Sequence, residues 1–288
     1  MGYAFTQINV WLDTVFVFLW LFVVAFLTFH FILFIKTGRF RKAFIEGNWP
    51  QHDHRPPATP KVLHAVHMFS MIGLGITGMY IRFPFFYGGR TTMRGIHYVL
   101  MIIVTIGLVW RILYAFMSKK NPNDWNEFAI RRKDVASAVG VLKYYGYMSD
   151  DKPHVAKYNV LQKMSYNMFL YMMIIQAFTG FALVTVPLFF GYSPRDLLVG
   201  WWLGPLAGGT DLAGWGVRTV HYILNWLFII MSTVHLYLAF SVDIPCALDF
   251  FGIKPMEVYP SEHGHGHEDE SPMPEPIPVF DMDPGSLS

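Results

Sequence analysis

Residues 221–235 read HYILNWLFIIMSTVH, an apolar run bracketed by two histidines fourteen positions apart. A run of this kind crosses lipid as a helix, and an ionisable side chain placed in such a helix is costly enough to point to function. Fourteen residues advance a helix by about 21 Å and return it to within about 40° of the same face. His221 and His235 therefore occupy two depths on one side of one rod.

The rest of the chain supports a membrane setting. Its 288 residues are 53% hydrophobic, with a mean hydropathy of +0.35, and only 15% are charged, against about 25% in an ordinary soluble domain. The N-terminal stretch MGYAFTQINV has no basic start and no small-residue cleavage site after the apolar run, so it reads as a retained helix. Five spans are expected, near 10–35, 62–83, 96–117, 167–189 and 220–242. Lys and Arg number six in 36–61 and nine in 118–163, but two in 84–95 and two in 189–219. Fifteen against four places the first and third connections, 36–61 and 118–163, inside, with the N-terminus outside and the C-terminus inside. The stretch WNEFAIRRKDVASAVGVLKYYGYM (125–148) suits one short interfacial helix, and Trp201, Trp202 and Trp215 suit an aromatic belt on the outer side.

The expected fold class is thus all-α integral membrane: a four-helix bundle over 62–245, preceded by an additional helix (1–36) and a basic connector (37–61). Residues 246–288, rich in Pro, acidic groups and His, are expected to be a disordered or partner-binding inner tail. The setting is expected to be a membrane crossed several times, with lipid as a partner and nucleic acid not expected.

The single cysteine, Cys246, excludes a disulfide, a C-x-x-C-H haem attachment and an iron–sulfur cluster. Metal chemistry must then rest mainly on the twelve histidines. The orientation sorts four of them into two levels, His97 with His221 outside and His64 with His235 inside. Two pairs of imidazoles at two levels suit two b-type haems, each iron held by two axial nitrogens. Four unrelated helix-end histidines are the plainer alternative. Gly73, Gly75 and Gly78 in IGLGITGMY and Gly180 in FTGFAL would admit a flat macrocycle or a close helix equally well. Lys61, Arg94 and Arg218 each stand three residues before a histidine, in KVLH, RGIH and RTVH, and could pair with haem propionates or snorkel to the interface. His67, one turn beyond His64, is an alternative ligand. His30 has no spare partner at its level. His52, His54 and His154 lie in inner connections, and His263, His265 and His267 in EHGHGHEDE could bind a transition metal weakly.

The segments KVLHAVHMFSMIGLGITGM (61–79), GIHYVLMI (95–102), VAKYNVLQKM (155–164) and HYILNWLFIIMSTVHLYLAF (221–240) together resemble the cytochrome b (gamma) subunit of respiratory formate dehydrogenases, within a group that includes the b-type cytochrome of nickel–iron hydrogenases. The resemblance implies a non-catalytic di-haem subunit that passes electrons between an iron–sulfur partner, attached to a catalytic subunit, and menaquinone. It places the haem ligands on His64, His97, His221 and His235, and the quinone site at Asn159, with Tyr158, Gln162 and Lys163 in the same stretch. From the residues alone, Asn159 and Gln162 read equally as a helix cap. A hydrogenase cytochrome and a stand-alone transmembrane reductase of the cytochrome b561 type are the alternatives. The chain departs from the family in its extra first span, in Ala65 after the first ligand, and in its acidic tail.

Overall fold

The computed structural model describes residues 2–50, 52, 55–117, 125–149, 158–188 and 190–258, with side chains from residue 7 onward. Among these the chain is helical, with no β-strand. Its order is α1 (Gly2–Lys36), α2 (Arg39–Phe44), α3 (Ala58–Arg82), α4 (Arg90–Met117), α5 (Trp125–Phe128), α6 (Arg132–Tyr145), α7 (Val160–Ala182), α8 (Trp201–Ala207, entered by a wider turn at Asp196–Gly200), α9 (Thr210–Val242) and α10 (Ile244–Phe250).

Four helices are long and apolar enough to cross a membrane: Gln7–Lys36 within α1, and α3, α4 and α9. Most of their apolar side chains face outward, as lipid requires. Helix α7, expected at 167–189, begins seven residues earlier and ends at Ala182. Its early polar residues Gln162, Lys163, Ser165 and Asn167 dilute its apolarity, and it is not among those four. Helix α3 runs along α4, and α7 along α9. The packed core lies between α7 and α9, where Met172, Leu224 and Phe228 are buried against Met71 and Phe169. A second cluster, Ala182, Val199 and Val217, closes the end near α8.

Helix α1 packs on the back of α9. Trp20 Nε1 donates to Thr233 Oγ1 at 3.1 Å, and Phe16 stacks on Trp226. Asp13 joins Arg82 of α3 at 2.9 Å and accepts from the Tyr222 hydroxyl. His30, without a spare partner at its level in the sequence reading, has hydrogen-bond partners here, with the Tyr147 hydroxyl also 3.3 Å from its Nδ1. It faces Tyr237 Oη with Nδ1 at 2.5 Å and the Tyr145 carbonyl with Nε2 at 2.8 Å. Since a carbonyl only accepts, Nε2 carries the proton. Arg39 donates to the Tyr144 and Ser149 carbonyls at 2.8 and 2.7 Å, so the first helix and its turn cap the C-terminal end of α6.

The end bearing α6 and the 37–57 connector is held by two buried carboxylates. Asp134 of α6 meets Lys163 of α7 at 3.1 Å, and Asp249 of α10 accepts from Arg55 at 2.8 Å and Lys61 at 2.7 Å. Residues 246–258, assigned by the sequence to a loose tail, begin with a helix that buries Asp249 and are followed by buried Met256. The reason is electrostatic: Arg55 of the connector and Lys61 in the first turn of α3 hold α10 against the bundle. Burial alone would raise both carboxyls. For Asp134 the Arg131 N–H and the Lys163 ammonium outweigh it, and for Asp249 the Arg55 and Lys61 bonds do. Both groups therefore titrate below the usual carboxylate range. A carboxyl depressed by folding stabilises above its unfolded pKa of about 3.9 and loses that contribution as pH falls through the folded value. The melting temperature of the detergent-solubilised protein should thus owe no slope to these groups between pH 5 and 8 and should fall below about pH 4. In Asp249→Asn the acid-induced part of that fall should shrink.

Candidate functional site

Helix α9 carries His221 and His235 at two levels, and each faces a histidine from the α3–α4 pair. The His97 and His221 ring centres are 6.5 Å apart, and those of His64 and His235 are 6.3 Å apart. A metal–imidazole bond is about 2.0 Å long, and a ring centre lies about 1.2 Å behind its nitrogen, so two imidazoles sharing one iron have centres roughly 6.4 Å apart. Both pairs have that separation. The four residues that sequence reasoning grouped by depth are brought together in the same two pairs. His67 instead turns its Nδ1 to the Leu63 carbonyl at 2.6 Å and its other edge toward Gly107.

The hydrogen bonds around the α4–α9 pair set the tautomers. Thr77 Oγ1 donates to the Gly73 carbonyl at 2.7 Å, leaving its lone pairs for His97 Nδ1 at 2.8 Å. That nitrogen must then donate, and Nε2 keeps the lone pair a metal would take. Thr179 repeats the device: it donates to the Ile175 carbonyl at 2.8 Å and faces His221 Nδ1 at 2.9 Å. The residue after each threonine is a glycine against the same ring. A Cβ on Gly78 would stand 3.5 Å from His97 Cε1, and one on Gly180 would stand 3.4 Å from His221 Cε1. The repeated Thr–Gly step of ITGM and FTGF thus orients a ligand with one residue and makes room with the next. The sequence reading noticed the glycines and passed over the threonines. Gln176 Nε2 lies 3.2 Å from His221 Nε2 and would have to turn aside for a metal there. At the other pair, His64 Nδ1 is buried without a partner among the described residues, and Phe169, Phe250 and Phe251 surround the rings. Outer partners of this kind are worth about 10–100-fold in metal affinity. Thr179→Val should therefore weaken retention of one haem by that order during purification while leaving the other in place, as read from haem per protein.

A cavity of about 3100 Å³ connects the two pairs, several times the roughly 300–1000 Å³ of an ordinary small-molecule pocket. Its volume, apolar lining and axial nitrogens fit haem. Arg94 and Arg218, expected near propionates, line it, and Lys61 does not. Lys61 is a correction: its ammonium is taken by Asp249. Arg111, inside α4, was missed. It lines the cavity over the Phe128 ring, with one terminal nitrogen buried and lacking a hydrogen-bond partner among the described residues. An unneutralised guanidinium is costly in a span and suits an anionic group such as a carboxylate. Its signal was available, since arginine interrupts the apolar run LVWRILY.

The stretch Tyr158–Lys163 opens α7. Asn159 and Gln162 form a reciprocal cap, each backbone N–H donating to the other's side-chain oxygen at 2.9 Å. The capping alternative is thus present, yet both residues also border the cavity. Asn159 Nδ2 reaches Tyr145 Oη at 3.4 Å, and Tyr158 stacks on Phe128. Burial, reinforced by Tyr166, pushes the Tyr158 phenol up, with Arg111 opposing. Lys163 is a second correction: it is buried in its pair with Asp134 and does not line the cavity.

With this geometry in place, comparison with known families is informative. The sequence model of a family described as prokaryotic cytochrome b561 matches residues 55–245, well over half of the chain. No curated protein and no solved structure matches the chain.

Proposed function

This chain belongs to the prokaryotic cytochrome b561 family and is a multi-pass membrane b-type cytochrome with an electron-transfer role, and on that premise we propose that it is the two-haem anchor of a quinone-linked respiratory complex. In this reading α7 is a fifth span, the basic connections and α6 face the inside of a prokaryotic plasma membrane, and an iron–sulfur subunit exchanges electrons with it. The observation that carries the proposal is the pair of histidine couples, 6.5 and 6.3 Å between ring centres, at two levels of α9. Haem, when bound, supplies a one-electron carrier at each level.

The chain's own residues do the rest. His97 and His221 hold one iron, with Thr77 and Thr179 keeping the ring protons on Nδ1. His64 and His235 hold the other. Arg94, Arg218 and Arg111 neutralise propionates from the cavity wall. Quinone reduction consumes two protons, so its site needs polar groups near water. Asn159, Gln162, Tyr158 and Tyr145 border the cavity at the end that carries the basic connector, where this requirement is met. The resemblance to formate dehydrogenase gamma subunits supports menaquinone as the acceptor and a formate-oxidising enzyme as the partner. A cytochrome of a hydrogenase or other molybdo/iron–sulfur oxidoreductase and a stand-alone transmembrane reductase are the alternatives.

The test is a haem-to-protein ratio with a reduced-minus-oxidised spectrum, followed by identification of the proteins that co-purify. Two haems per chain and an iron–sulfur partner support the proposal. One haem or none would sink it, and two haems without a partner would transfer support to the stand-alone reductase.

A further inference from the structure

A cluster outside the haem ligands has the donor set of a metal site. His52 lies in the connector before α3, Asp243 is the N-cap of α10, and Cys246 is in that helix's first turn. One ligand atom from each lies within 4.8 Å of the other two, and all three residues are half-buried. All three residues also border the large cavity.

We propose that His52, Asp243 and Cys246 bind a divalent transition metal of the zinc class. The local geometry assigns each atom a role. Asp243 Oδ1 already accepts from the Cys246 N–H at 3.2 Å, which fixes the carboxylate as the helix cap. Its Oδ2 is thereby turned to His52 Nε2 at 2.6 Å, where a proton now joins them. A metal replaces that proton. Nitrogen and oxygen ligands about 2.0 Å from a tetrahedral ion are roughly 3.3 Å apart, so the pair must open by well under 1 Å. A nitrogen, an oxygen and a thiolate select zinc-like ions over magnesium or calcium, which take oxygen ligands. Three protein ligands leave the fourth position to water. The ion would tie the connector to α10 beside the Arg55–Asp249–Lys61 cluster, which already joins the same two segments. None of this depends on the haem or quinone reading.

Cys246 is the only cysteine in the chain, so a metal–sulfur signal can arise nowhere else. The rival binder within the chain is the histidine tract at 263–267, which has no sulfur. The full-length protein in detergent, stripped with a chelator and given one equivalent of Zn²⁺, is examined by X-ray absorption at the zinc edge. A sulfur shell near 2.3 Å is expected, with nitrogen and oxygen near 2.0 Å, and Cys246→Ser should abolish the sulfur shell. His52→Ala and Asp243→Asn should each weaken zinc binding at least tenfold in competition with a chromophoric chelator. Asparagine also caps helices, so Asp243→Asn removes a ligand and keeps the fold, which unchanged haem absorbance verifies. In the wild type Zn²⁺ should slow maleimide labelling of Cys246 at least tenfold, and in His52→Ala it should not. A shell of nitrogen and oxygen alone in the wild type, or undiminished affinity in the variants, overturns the site and places the metal on the tail.

Discussion

Replacing His235 by alanine should halve the haem content of the purified protein and, on the proposed two-haem reading, slow quinone-linked haem oxidation by more than about a hundredfold, beyond the ~10–100-fold typical of losing an outer partner of a ligand. The argument rests on the pairing. His64 and His235 face each other with 6.3 Å between ring centres, and no other described histidine stands ready to replace either. His67, the nearest in sequence to His64, has its Nδ1 bonded to the Leu63 carbonyl and lies against Gly107. The other couple is on a separate level, and its tautomers are set by Thr77 and Thr179. It should keep its haem and remain reducible by dithionite or by an iron–sulfur partner. His221→Ala should give the mirror result, with the surviving haem at the end near Asn159. Loss of both haems in either variant with normal folding, or survival of both, would show the pairing to be wrong.

The second large effect is on stability. Lys163→Met should destabilise the protein by about 3–5 kcal/mol, because it strands a buried carboxylate rather than because the pair is strong. Lys163 Nζ lies 3.1 Å from both oxygens of Asp134, and both side chains are nearly inaccessible. The pair is also the main polar tie between α6 and the start of α7, so the loss should be concentrated at that end of the bundle. Adding Asp134→Leu to Lys163→Met removes the stranded charge and should recover most of the melting temperature. Two single losses that simply added would show that the residues act independently.

The histidine couples could be read before any coordinates because their information is one-dimensional. Spacing along one helix gives depth, and the asymmetry of basic residues between connections tells which end of each span faces which side. The family match over residues 55–245 covers that same stretch. Polar partnerships were read less well. Lys61 and Lys163 both stand where a ligand-binding cation would be useful, and both are committed to buried carboxylates distant in sequence. Asp249 and Asp134 come from segments that looked like a tail and a surface helix, so nothing local marked them as partners. Arg111 shows the reverse. Its place inside an apolar run was a signal, and what remained hidden was that it lines the cavity with one terminal nitrogen lacking a hydrogen-bond partner among the described residues.

Composition and helix geometry sufficed for the helical membrane class, for four of the five expected apolar spans and for the two levels of histidines on α9. These follow from composition and from the fixed rise and twist of a helix, which act along the chain. Packing between helices decided which ring nitrogen is left for a metal, that Arg111 lies along the cavity wall, and which carboxylates absorb the lysines. It also brought His52 to Asp243 and Cys246 across about two-thirds of the chain. Those outcomes depend on distances of 2.5–3.5 Å between residues far apart in sequence, because hydrogen bonds and ion pairs are short-ranged and directional.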